Sequence, residues 1–188
     1  MSQRQDSSKK NILTIPNALS LFRMILIPVI VWLYFCRESH VLAACVLILS
    51  GITDVADGII ARRLNMVSDV GKILDPVADK LTQGIVLLCL GFKYLPLMLL
   101  AIVFLIKEAV DVLVYVYMVQ YTGKIMGADW HGKALTVLLH TTMLLHLFWL
   151  DIPLAVTIGL SIACAVMMLL STVLYFQRSI AAVQDKRH

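Results

Sequence analysis

Apolar runs long enough to cross about 30 Å of hydrocarbon recur along the chain, separated by short polar breaks. Their pattern predicts six membrane-spanning helices, at about residues 20–36, 41–61, 77–95, 97–121, 134–150 and 154–176. Ahead of them residues 2–10 are polar, and 11–21 carries Pro16 among apolar residues suited to a short helix lying in the membrane interface. The expected fold class is all-α integral membrane: six transmembrane helices with a short N-terminal interfacial helix. A disordered tail is expected over 1–10, a single membrane domain over 11–178 and a polar tail over 179–188.

Composition agrees with that pattern. The chain is 60% hydrophobic and 15% charged, and its mean hydropathy is +0.88, well above an ordinary soluble domain. Cys36, Cys45, Cys89 and Cys164 stand singly inside apolar runs without zinc-site spacing, so they are read as packing residues. Met98, Met118, Met143, Met167 and Met168 are read as packing or lipid-facing residues. Arg23 near the start of the first apolar run, with no small-residue cleavage site behind it, argues against a removed signal peptide. The net charge of +4 comes from basic residues at helix ends, not interleaved with exposed aromatics, so lipid headgroups are the expected partner and nucleic acid is not.

With six spans both termini share a side. The loops there carry Arg62, Arg63, Lys72, Lys80, Lys124 and Lys133 besides the basic termini, whereas the opposite loops hold only Arg37 and Lys93. The bias of Lys and Arg toward the cytoplasm puts both termini and the 62–80 loop inside the cell.

Acidic residues are costly within a span, at least about 2.5 kcal/mol each near its centre, so Asp54, Asp57, Asp75 and Asp79 at span ends call for a reason. If helix continues through 51–62, Asp54, Asp57 and Ala61 share a face at i, i+3 and i+7, and Asp75 and Asp79 share one at i and i+4. Two neighbouring helices can thereby aim four carboxylates at one place. Protonation would relieve their repulsion, but so many oxygen ligands suit hard cations such as Mg²⁺ or Mn²⁺, and two ions would neutralise a diphosphate. Gly58 leaves room for a flat or anionic ligand, and Arg62 one turn on offers a fork of donors to a phosphate or base. The constellation reads as a nucleotide diphosphate site.

Residues 54–79 read DVADGIIARRLNMVSDVGKILDPVAD, which fits D-x2-D-G-x2-A-R-x8-G-x3-D-x3-D without a gap. This resembles the signature of the CDP-alcohol phosphatidyltransferase family. The resemblance implies that Asp54, Asp57 and Asp75 are metal ligands, and that Asp79 is also at the metal site and is the catalytic general base. It further implies that Asp54, Asp57, Gly58, Ala61, Arg62 and Gly71 contact CDP, that two Mg²⁺ or Mn²⁺ ions are held, and that the protein is a homodimer. The implied reaction moves a phosphatidyl group from CDP-diacylglycerol to a small alcohol and releases CMP, without a covalent enzyme intermediate.

Within the family, IPNALSLFR at 15–23 and DPVADK at 75–80 look most like phosphatidylglycerophosphate synthases, whose acceptor is glycerol 3-phosphate. CDP-dependent cardiolipin synthases look similar, and phosphatidylinositol phosphate synthases are a further alternative. Where members of the first group commonly carry an Arg-Glu pair and a GK-x-K-T segment, this chain has Lys107-Glu108 and Gly132-Lys133-Ala134-Leu135-Thr136. Arg23, Lys107 and Lys133 are candidate acceptor-binding residues, although Lys107 paired with Asp111 at i+4 would equally neutralise buried charge. Asn17 and Ser20 are expected to anchor the first helix in the headgroup layer, and His131, His140 and His146 to hydrogen-bond within the helical bundle and not to bind metal. A divalent metal transporter is the rival of a different class, but its aspartates would be expected near the midplane on broken helices.

Overall fold

The computed structural model describes the backbone of residues 15–63, 71–122 and 130–185. Among these residues there are six α-helices and no strand: α1 (Ile15–Phe35), α2 (His40–Arg63), α3 (Gly71–Gly91), α4 (Leu95–Thr122), α5 (Trp130–Phe148) and α6 (Leu154–Asp185). Asn17–Phe35 and Leu154–Ile180 are each long and apolar enough to cross a membrane. The expected tail over 1–10 lies outside the described residues.

Several helices start earlier than the expected spans, α6 ends later, and α3 stops at Gly91, short of the expected 95. The separate interfacial helix is not seen among the described residues, where 15–21 is continuous with α1. Pro16 is tolerated there because the first N–H groups of a helix have no intrahelical partner. α3 starts at Gly71, with Asp75 and Pro76 already helical, and α6 runs on to Asp185 through part of the expected tail. Hydropathy marks where an apolar run stops, and a polar turn can continue the helix beyond that point.

The chain divides into two compact units, Met1–Cys89 and Leu90–His188, so the expected 11–178 domain extends over both. In the first, α1 packs on α2: Leu26, Ile27, Ile30, Leu33 and Tyr34 are buried on one side, and Ala43, Ala44 and Leu47 on the other. The two alanines let the backbones approach closely. Leu21, Ile25, Val29 and Trp32 form the opposite, exposed stripe of α1, the face suited to lipid. The turn into α2 passes through Glu38 at φ 49°, where Ser39 N–H bonds the Leu33 carbonyl at 3.0 Å.

In the second unit α6 packs against both α4 and α5, burying Leu100, Ala101 and Phe104 of α4, Leu139 and Met143 of α5, and Cys164 and Met168 of α6. His146 ties α5 to α6: its Nδ1–H donates to the Thr142 carbonyl at 2.7 Å, which leaves Nε2 to accept from the Thr157 hydroxyl at 3.1 Å. Just beyond α5 the Leu150 carbonyl accepts from the Tyr94 hydroxyl at 2.7 Å and the Lys93 ammonium at 3.0 Å.

Candidate active site

Asn17, Ser20 and Arg23 recur every third residue, which gives an otherwise apolar α1 one polar stripe. All three are buried, Arg23 to 1% exposure. The expected headgroup anchoring of Asn17 and Ser20 is therefore not what the structure shows. Ser20 instead donates its hydroxyl to Asp75 Oδ1 on α3.

A buried guanidinium needs anionic partners, since desolvating an unpaired charge is expensive. Arg23 has two. Its Nη1 donates to Asp54 Oδ1 on α2, and its Nη2 lies 3.3 Å from Asp75 Oδ1 on α3. The planar fork thus joins carboxylates from two helices, a task for which a lysine's point charge is poorly shaped. The carboxylates themselves remain open to the surroundings, with side-chain exposures of 44% for Asp54 and 35% for Asp75.

The helical register expected for the other acidic residues is present. Asp57 follows Asp54 within α2, and Asp79 follows Asp75 by four residues within α3. Asp79 is half-buried and accepts from Gln83 Nε2 at 3.0 Å. Gly71, the first residue of α3, is buried. Gly58, Ala61 and Arg62 lie on the α2 backbone, but their side chains and that of Asp57 are outside the described residues.

Among the described residues no three His, Cys, Asp or Glu side chains cluster closely enough to share an ion. Asp54 and Asp75 are nonetheless a fitting start for one. They come from different helices, present only oxygen, stay accessible, and already converge on one cation, the Arg23 guanidinium.

In the second unit the Lys107 ammonium sits 2.9 Å from Glu108 and 2.8 Å from Asp111, so one lysine is shared by two carboxylates. Asp111 Oδ1 is buried without a hydrogen-bond partner among the described residues. Lys133, in the first turn of α5, is exposed. The histidines bond among the helices: His131 of α5 to Ser171 of α6 at 3.1 Å, and His140 to the Thr136 carbonyl of its own helix at 3.0 Å.

Sequence reasoning passed over Gln83 and gave Ser20 the wrong surroundings. The signal was present in both cases: a lone polar residue on an apolar helix, one turn from a motif aspartate or from Arg23.

Comparison with known proteins bears on the same residues. Along 78 residues, 40% of this chain, it is 44% identical to the CDP-diacylglycerol--glycerol-3-phosphate 3-phosphatidyltransferase of Rickettsia typhi (strain ATCC VR-144 / Wilmington), of which the match covers 44%. Along 103 residues, 52% of this chain, it is 40% identical to the cardiolipin synthase (CMP-forming) of Streptomyces coelicolor (strain ATCC BAA-471 / A3(2) / M145), of which 48% is covered. The chain thus matches just under half the length of these curated relatives. The family model described as CDP-alcohol phosphatidyltransferase matches residues 13–181, nearly the whole chain and all of the 54–79 signature. This chain belongs to the CDP-alcohol phosphatidyltransferase family.

Proposed function

We propose that this protein transfers a phosphatidyl group from CDP-diacylglycerol to an alcohol, releasing CMP, and that the alcohol is glycerol 3-phosphate. The observation that carries the reading is the Arg23 fork, which gathers Asp54 of α2 and Asp75 of α3, the first and third aspartates of the family signature. The relatives named above divide between a glycerol-3-phosphate transferase and a cardiolipin synthase, so the acceptor is the point on which a test must decide.

Members of the family generally use divalent metals. In this chain Asp54, Asp57, Asp75 and Asp79 would hold two ions, Mg²⁺ or Mn²⁺. When bound, such ions supply neutralising charge for the diphosphate and polarise the phosphorus under attack. Gly58, Ala61 and Gly71 keep side-chain bulk away from the cytidine nucleotide, and the Arg62 fork offers it donors. Asp79 takes the proton from the acceptor hydroxyl as the new O–P bond forms and the bond to CMP breaks. Arg23, Lys107 and Lys133 are the cations assigned to the acceptor phosphate. Lys133 is exposed, whereas Arg23 and Lys107 have to exchange a carboxylate for the phosphate.

All six helices are read as spans, with both termini and the site facing the cytoplasm, on the asymmetry of Lys and Arg between the loops. A homodimer is inferred from the family alone. The test is incubation of purified protein with CDP-diacylglycerol, divalent metal and a panel of glycerol 3-phosphate, phosphatidylglycerol, inositol phosphate and serine, followed by mass analysis of the lipid. Metal-dependent CMP release with phosphatidylglycerophosphate as product is expected. Cardiolipin as the sole product would move the acceptor to phosphatidylglycerol, and metal flux in vesicles without CMP release would overturn the enzyme reading.

A further inference from the structure

We propose that Gln83 is the positioning residue for Asp79, an inference that rests on reading Asp79 as the general base. Gln83 lies one helical turn beyond Asp79 on α3, deeper in the apolar part of the helix, and is fully buried at 0% exposure. Its neighbours Val86, Leu87 and Leu90 on the same buried side are apolar, and a leucine or methionine would fill the Gln83 position without carrying polar atoms into it.

Polar side chains within apolar helices ordinarily satisfy themselves on the backbone of the preceding turn. Thr82 does so, donating its hydroxyl to the Ala78 carbonyl at 2.8 Å. Gln83 does not. Its Nε2 reaches up the helix to Asp79 Oδ2 at 3.0 Å, and its Oε1 is buried with no hydrogen-bond partner among the described residues. An orphaned amide oxygen is a cost that a packing residue avoids. The arrangement therefore points to the other end of the amide: the N–H fixes one carboxylate oxygen and restricts rotation of the Asp79 side chain.

That restriction matters for a base more than for a binding group. Proton transfer requires the accepting oxygen within hydrogen-bond reach of the hydroxyl, and small misplacements lower the rate without changing how tightly the nucleotide is held. Gln83 touches neither the reacting atoms nor the nucleotide in this scheme and acts through Asp79.

The experiment compares the intact protein with Gln83→Met and Gln83→Leu, which keep the volume and remove the donor. The expected result is a fall in kcat of about tenfold or more, with the KM for CDP-diacylglycerol within about twofold of the unaltered protein. Thermal unfolding in detergent should occur no earlier than in the parent, because the orphaned oxygen is removed with the donor. A folded Gln83→Met protein with undiminished kcat would overturn the inference, as would an equal loss in kcat and in nucleotide binding. Asp79→Asn measured alongside separates the two readings. An active Asp79→Asn protein overturns the base assignment and the positioning role with it, whereas an inactive one beside a fully active Gln83→Met protein overturns the positioning role alone.

Discussion

The Arg23 guanidinium, buried on α1, donates to Asp54 on α2. It also approaches Asp75 on α3 at 3.3 Å, so one side chain of the first helix holds two signature carboxylates that are 21 positions apart in the sequence. Removing it leaves them without that shared cation. Arg23→Ala is expected to lower stability by about 1–3 kcal/mol, less than the roughly 3–5 kcal/mol for breaking a fully buried pair, because both carboxylates are partly exposed. The loss should be larger in chelator than in millimolar Mg²⁺, read as melting temperature in detergent. Equal losses in both conditions would mean that Asp54 and Asp75 do not share a cation site. Arg23→Lys should recover only part of the loss, since an ammonium cannot span both carboxylates with separate donors.

How much of this was legible in the sequence differs between levels. The register of Asp54 with Asp57, and of Asp75 with Asp79, followed from helical geometry alone, and both helices run through the motif. The reach of α3 and α6 did not, because Gly71 and Asp75 on α3 and Arg178 on α6 are positions that hydropathy treats as lying beyond a span. The role of Ser20 was hidden for a different reason. A serine near the start of an apolar run is chemically the same whether it faces headgroups or a carboxylate on another helix, and only packing decides between them. Lys107 was legible as one of two alternatives, and the structure shows it bonded to Glu108 and Asp111.

Lys133 is the exposed member of the proposed acceptor cations. Lys133→Gln is expected to raise the KM for glycerol 3-phosphate by about tenfold, as removal of one phosphate contact would. The KM for CDP-diacylglycerol should stay unchanged. Steady-state kinetics with each substrate varied in turn checks this, and parallel rises in both constants would remove Lys133 from the acceptor site.

Gly91 closes α3 against the start of α4. A Cβ placed there would meet the Met98 Cα at 2.8 Å and its backbone nitrogen at 3.0 Å, contacts that backbone cannot relieve by rotating a side chain. Gly91→Ala is therefore expected to destabilise by about 1–3 kcal/mol, the usual range for overpacking. Differential scanning fluorimetry in detergent would show it, and an unchanged melting temperature would contradict the close approach.

Thr157 supplies the hydroxyl that His146 Nε2 accepts, because the other ring nitrogen is committed to the Thr142 carbonyl. Thr157→Val keeps the shape and leaves Nε2 without that donor. The expected cost is about 1 kcal/mol, modest as for most hydrogen bonds between helices in membranes. Substrate KM values should not move. A change in catalysis without loss of stability would mean that the histidine does more than join α5 to α6.

Metal binding by the signature carboxylates is the claim on which the mechanism rests. Mn²⁺ titration of the purified protein, followed by electron paramagnetic resonance with and without CDP, measures it directly. The account expects Mn²⁺ to be bound, CDP to tighten that binding, and Asp57→Ala to weaken metal and CDP together by about tenfold or more. Unchanged Mn²⁺ affinity in Asp57→Ala, with CDP binding intact, would contradict it.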